Sequence, residues 1–74
     1  MRRVLVTGAD GFLGRHLVAA LGARGAAVRG LDLAFRPDTP AMERITGSVT
    51  DRDTARQAAQ GCDSVIHAAA IAHL

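Results

Sequence analysis

Thr7-Gly8-Ala9-Asp10-Gly11-Phe12-Leu13-Gly14 sets three glycines three residues apart, directly after the apolar run Val4-Leu5-Val6 and at the start of an amphipathic one. A strand, a glycine-rich turn and a helix N-terminus therefore meet within a dozen residues. The first turn of a helix has N–H groups without intrahelical partners and the positive end of the helix dipole, which suits an anion such as a pyrophosphate. The glycines divide the work: Gly8 for the tight turn off the strand, Gly11 for approach of a phosphate to the backbone, Gly14 for close packing of helix on strand. A carboxylate, Asp32, follows eighteen positions after Gly14. That agrees with the interval of roughly 20 residues expected for an acid that binds the hydroxyls of an adenosine ribose. No Gly-Lys-Ser/Thr follows the turn, so a P-loop is excluded.

These residues need a scaffold. A first strand over about Arg3 to Thr7 is nearly continuous in apolar character, as in a parallel sheet covered on both faces. The helix expected from about Phe12 to Ala23 carries Leu13, Leu17, Ala20 and Leu21 at helical spacing, with Arg15 outside that stripe. Gly22 and Gly25 mark its end, and Arg24 stands near the negative end of its dipole. A second strand, Ala27 to Asp32, leads into Arg36-Pro37-Asp38-Thr39-Pro40, which has room for a turn but not for a long helix. A third strand is expected near Arg44 to Gly47. Asp51 caps a second helix with Asp53 in its first turn, Ala55, Ala58 and Ala59 inward and Gly61 just past its end. A fourth strand runs from Ser64 to about Ala69.

Alternating strands and helices specify an α/β fold, a Rossmann-type parallel sheet of about four strands with two helices. Right-handed crossovers give the order 3-2-1-4, with a switch of direction between strands one and four. The glycine turn and the Ala68-Ala69-Ala70 run then flank one crevice at the carboxyl ends of those strands.

Composition narrows the function classes. Seventy-four residues make one small domain, with no internal repeat and no linker. A domain of this size hides only about 60% of the surface exposed by its unfolded chain. Fifteen residues are alanine, so the core is thinner than an apolar fraction of 49% suggests. All nine basic residues are arginines, scattered from Arg2 to Arg56 without aromatic interleaving, at a net charge of +2. That pattern argues against a nucleic-acid partner. The single cysteine, Cys62, excludes an internal disulfide and a multi-cysteine zinc site, and three histidines without carboxylates at ligand spacing give no metal site. No apolar run approaches membrane-spanning length, and Met1-Arg2-Arg3 enters the first strand too soon for a signal peptide, so a cytoplasmic protein is expected.

Thr7-Gly8-x-x-Gly11-x-x-Gly14 resembles the TGxxGxxG fingerprint of the extended short-chain dehydrogenase/reductase family, and within it the NAD-dependent epimerase/dehydratase branch. Gly61-Cys62-Asp63-Ser64-Val65-Ile66-His67-Ala68-Ala69-Ala70 resembles that branch's G-x-D-x-V-I-H-x-A-A strand. The likeness runs in order through essentially all 74 residues. It implies the amino-terminal part of a dinucleotide-binding domain, residues 1–74, from an enzyme acting on a nucleotide sugar or similar substrate, with a homodimer as the assembly of the complete enzyme. The implied cofactor site comprises Gly8, Gly11, Phe12, Leu13, Gly14, Asp32, Ser48, Val49, Ala68, Ala69 and Ala70. In it the N–H groups of Phe12 and Leu13 meet the pyrophosphate, Asp32 holds the adenosine ribose and Ser48-Val49 lie beside adenine. Ala68 to Ala70 line the central part of the cofactor. Where the family has Asp this chain has Ser48, so the adenine contact is expected to be weaker or shared with Asp51.

Asp32 favours NAD over NADP. Against a hydroxyl it makes a charge-assisted hydrogen bond of about 1.5–3 kcal/mol. Against a 2′-phosphate it meets repulsion of about 4 kcal/mol per charge pair at 4 Å and an effective dielectric of 20. Arg36 is close enough in sequence to offset this, but beside Pro37 it is expected to be solvated.

Other polar residues have plainer readings. Asp10 reads as a turn former, His16 as a helix flank, Thr7 as a tie across the turn and Cys62 as buried and inert. His67, on an apolar strand, reads as buried and hydrogen-bonded, and His73 as cofactor lining at most. The resemblance implies catalysis by a Tyr-x-x-x-Lys pair, and these residues include no Tyr and no Lys. No catalytic residue is therefore assigned, and the sequence reads as part of a longer enzyme interrupted near His73-Leu74. The other reading is a non-catalytic dinucleotide-sensing module or a non-functional remnant.

Overall fold

The computed structural model describes residues 2–41 and 43–68. Its elements follow in the order β1 (Arg3–Thr7), α1 (Phe12–Ala23), β2 (Ala27–Asp32), β3 (Glu43–Thr46), α2 (Arg52–Ala59) and β4 (Ser64–His67). All strand pairs are parallel and the sheet order is β3-β2-β1-β4, as the alternation of elements predicts. In register, Thr7 of β1 lies between Leu31 of β2 and His67 of β4, so the ends of β1 and β4 are level beside the glycine turn.

Strand alternation divides the core into two layers. Val4 and Val6 turn towards α1 and pack with Ala9, Val18, Val28 and Ala68, flanked by Leu17, Leu21, Phe35 and Ile66. Leu5 turns to the other face, where Leu31 and Ala58 complete a smaller cluster with Ile45, Ala59 and Cys62 at its margin. The second layer is thin because α2 offers only alanines to it.

The buried stripe of α1 differs from the expected one. Gly14 and Val18 are its buried residues, with Leu17 and Leu21 beside them, whereas Leu13 and Ala20 are exposed. The cause is Gly14, where a Cβ would lie only 1.9 Å from the carbonyl oxygen of Gly8. The helix thus presses onto the turn at Gly14, and this contact fixes which face looks inward. At its other end the α1 chain reverses through Gly25, at φ +90°, while Gly22 remains inside the helix.

The third strand begins one residue earlier than expected, at Glu43, and ends at Thr46, with Gly47 donating its N–H to the carbonyl of Asp32 at 2.8 Å. The fourth is a strand over Ser64–His67, and Ala69 lies outside the described residues. Asp51 caps α2 as expected, its Oδ1 accepting from the N–H groups of Asp53 (3.0 Å) and Thr54 (3.2 Å). No helix among the described residues is long and apolar enough to cross a membrane.

Candidate functional site

The turn between β1 and α1 is built on backbone bonds. Gly8, at φ 67°, donates its N–H to the carbonyl of Leu31 at 2.8 Å, and Gly11 donates back to the carbonyl of Gly8 at 3.1 Å. A side chain at position 8 would be strained in that left-handed conformation. The chain then enters α1 through Gly11, which has no side chain to cap the helix, and no acidic residue stands in the first turn. The contrast with α2 is informative: Asp51 satisfies the first N–H groups of α2, while those of Phe12 and Leu13 keep their capacity to donate to an anion.

Asp32 closes the other side. Its Oδ2 accepts from the Asp10 N–H at 2.8 Å and its Oδ1 from the Leu33 N–H at 2.7 Å. Both oxygens retain further lone pairs for a ligand's hydroxyls. Gly8, Gly11, Phe12, Leu13, Gly14, Asp32 and Ala68 together line one cleft of about 240 Å³. Seven of the residues singled out in the sequence therefore meet in one place.

Ser48 and Val49 do not line that cleft. Ser48 turns its hydroxyl to Thr50, with Oγ–Oγ1 at 2.6 Å. Val49 borders a separate, mainly apolar recess of about 210 Å³ with Leu5, Thr7, Leu31, Ala55, Ala59, Val65 and His67. Ala69, Ala70 and His73 lie outside the described residues.

The plainer readings fare unevenly. Thr7 is buried and shares a hydrogen bond with His67, Oγ1 to Nδ1 at 2.7 Å, so its hydroxyl ties β1 to β4 instead of tying the turn. His67 is hydrogen-bonded as expected but exposed rather than buried, because β4 is the edge of the sheet. His16 sits exposed on the flank of α1 with Nδ1 2.8 Å from the Phe12 carbonyl oxygen. Cys62 is half-buried against the second core layer, its thiol 3.7 Å from the Ala58 carbonyl oxygen.

Two charged residues carry more than the sequence reading gave them. Asp10 is not only a turn former. Its Oδ1 accepts from the Arg36 N–H at 3.0 Å and from the Thr39 hydroxyl, and its Oδ2 lies 3.6 Å from Arg36 Nε. Those hydrogen bonds, the Thr39 hydroxyl first, hold its carboxyl below the usual value of 3.8, with the charges of Arg36 and Arg15 adding to the effect. Arg36 is accordingly paired and not simply solvated. Arg29, in the middle of β2, is buried and donates to the carbonyls of Ala58 and Gln60, both at 2.7 Å. It satisfies the C-terminal end of α2. No local pattern marks either set of contacts: Arg36 and Thr39 stand 26 and 29 residues from Asp10, and the partners of Arg29 stand 29 and 31 residues away in sequence.

The arrangement offers backbone donors to an anion and a fixed carboxylate to a diol. Among the described residues no group of three or more metal-ligating side chains forms.

A model of the NAD dependent epimerase/dehydratase family matches residues 4–74. The chain is 45% identical over 74 residues to a 3 beta-hydroxysteroid dehydrogenase/Delta 5-->4-isomerase of Mycobacterium tuberculosis, a match covering 97% of this chain and 20% of that protein. Among solved structures, a short-chain dehydrogenase/reductase superfamily protein from Agrobacterium tumefaciens with bound NAD is similar at a TM-score of 0.76 and 41% identity, over 89% of this chain and 20% of that one. MoeE5, in complex with UDP-glucuronic acid and NAD, is similar at a TM-score of 0.77 and 35% identity, over 88% and 21%. The chain spans about one fifth of the length of these relatives.

Proposed function

The chain belongs to the NAD dependent epimerase/dehydratase family, and on that premise we propose that residues 1–74 are the amino-terminal, NAD-binding part of the Rossmann-type domain of such an enzyme. The observation that carries this reading is the single cleft uniting the glycine turn, the uncapped start of α1, Asp32 and Ala68. In it the N–H groups of Phe12 and Leu13 hold the pyrophosphate, Asp32 holds the adenosine ribose and Ala68 follows the central part of the cofactor. Adenine extends past this cleft towards Ser48 and Val49, which lie outside it. The cofactor supplies hydride chemistry when bound, and this segment's residues bind and orient it. The acid and base of the reaction come from elsewhere, since the 74 residues include neither Tyr nor Lys.

NAD is favoured over NADP because Asp32 is half-buried with its oxygens already oriented by two N–H groups. A 2′-phosphate in place of the hydroxyl would face that charge at close range.

For the substrate we propose a nucleotide sugar, which the likeness to MoeE5 with UDP-glucuronic acid supports. The 45% identity to a protein named as a hydroxysteroid dehydrogenase favours a 3β-hydroxysteroid as the second reading. Measuring turnover of UDP-sugars and of 3β-hydroxysteroids by the complete enzyme, with product analysis beside NADH formation, separates the two.

The cofactor reading is tested by calorimetry with NAD on the wild type and on Gly11→Val. A Cβ at position 11 would lie 3.3 Å from the Gly8 carbonyl oxygen, a tight contact for which that backbone must give by a few tenths of an ångström, while the branches of Val crowd the path of a phosphate. Binding is expected for the wild type and loss of it for the variant; equal affinities would sink the assignment.

A further inference from the structure

Asp10 stands between the anion-binding turn and the connection after β2, and its two polar parts face different ways. Its backbone N–H reaches Asp32 Oδ2 at 2.8 Å. Its carboxylate points into the connection, where Thr39, the Arg36 N–H and the Arg36 guanidinium surround it. The Asp10 side chain is only 15% exposed, whereas that of Arg36 is 61% exposed and reaches Asp10 from the solvent side. Arg15, on the neighbouring face of α1, is likewise held by a carboxylate, Asp38 at 3.0 Å. Both guanidinium groups bordering the hollow beside the cleft therefore carry an acidic partner.

We propose that Asp10 is a specificity-determining residue, which orients Asp32 through its N–H and, by occupying Arg36 through its carboxylate, withholds that cation from a 2′-phosphate. This rests on the dinucleotide reading of the cleft. Asp32 alone repels a 2′-phosphate, but an unpaired guanidinium four residues further along would neutralise the repulsion. With Asp10 ionised, the group of Asp10, Asp32 and Arg36 keeps one net negative charge; with a neutral residue at position 10 it keeps none. With its carboxyl held below the usual value by the Thr39 hydroxyl and the Arg36 N–H, Asp10 is charged throughout the neutral range.

The test is a cycle of Asp10→Asn, Arg36→Gln and their combination in the full chain, with dissociation constants for NAD and for NADP. Asn keeps the backbone N–H and an oxygen for Thr39, so NAD affinity is expected to change less than roughly threefold while preference for NAD over NADP falls about tenfold. Arg36→Gln uncovers the charge of Asp10 and is expected to move the preference the opposite way, and the double variant to return within roughly threefold of the wild type. A merely structural Asp10 would weaken both nucleotides together and leave their ratio unmoved. An unchanged ratio in Asp10→Asn, or a gain of NADP binding that persists without Arg36, overturns the proposal. Should Asp10→Asn fail to fold, Arg36→Gln, at an exposed position, decides alone, and an unchanged ratio there also overturns it. A wild type that binds neither nucleotide removes the dinucleotide reading itself, whereas NAD binding with insensitive ratios removes only the role of Asp10.

Discussion

Asp32 has its carboxylate oriented by two backbone N–H groups, so its direction is set before any ligand meets it. A preorientated acceptor gives up little freedom on binding, which raises the net value of each hydrogen bond it makes. Asp32→Ala is therefore expected to cost about 1.5–3 kcal/mol of NAD affinity, roughly ten- to a hundredfold in the dissociation constant, and to narrow the gap between NAD and NADP. Calorimetry with both nucleotides checks this, and unchanged NAD affinity would remove Asp32 from the site. Asp10 gives a prediction in pH. Its folded-state acidity is stronger than that of the unfolded chain, so its contribution to stability is complete above 3.8 and is lost as pH falls through the lower folded value. In urea unfolding, the stability difference between the wild type and Asp10→Asn should stay constant above about pH 5 and shrink in more acidic solution.

Among the elements, α1 shows where the sequence could be read and where it could not. Its limits, Phe12 and Ala23, match the expected ones because the glycine turn and the closing glycines are local signals. Its inward face keeps Leu17 and Leu21 of the expected stripe but not Leu13 and Ala20, because leucines dominate a hydrophobic pattern while a glycine, Gly14, makes the decisive contact. The seven cleft residues were legible because their backbone roles follow from the turn and the ends of β1, β2 and β4. Arg29 was not, since a charged residue in an apolar strand gives no hint of carbonyls waiting at the end of a distant helix. Two glycine substitutions on α1 should then have opposite signs. Gly14→Ala drives a methyl into the Gly8 carbonyl and should cost about 1–3 kcal/mol, whereas a Cβ at Gly22 meets nothing within 4 Å. Gly22→Ala should stabilise by up to about 0.5–1 kcal/mol, and thermal melts of both variants test the pair. Arg29→Met keeps an unbranched apolar stem but leaves the Ala58 and Gln60 carbonyls without their donor, at an expected loss of about 1–3 kcal/mol for each carbonyl that water does not reach. Stability equal to that of the wild type would show that α2 does not depend on this end contact.

At the scale of the whole molecule, the two core layers are unequal. Val4, Val6, Val18 and Val28 anchor the α1 side, but on the other side Leu5 and Leu31 receive only Ala58 and Ala59 from α2, with Ile45 and Cys62 at the margin, and Val65 on the edge strand is 48% exposed. So small a domain has little stability in reserve. Under those conditions a ligand that binds only the folded state has a large effect on the melting temperature. At a hundred times its dissociation constant it adds about 2.7 kcal/mol. For a domain of 60–100 residues this corresponds to a rise of roughly 10–20 °C. NAD is expected to produce such a rise in the 74-residue chain, and Gly11→Val to abolish it while leaving the ligand-free melting temperature within a few degrees of the wild type. Gly14→Ala should behave differently, lowering the ligand-free melting temperature through its clash with Gly8. The two glycines are separated by three positions on one turn, so a difference of this kind distinguishes crowding of a phosphate site from damage to the fold. If NAD fails to shift the wild-type melting temperature at millimolar concentration, the cleft between the glycine turn and Asp32 is not a dinucleotide site in this chain.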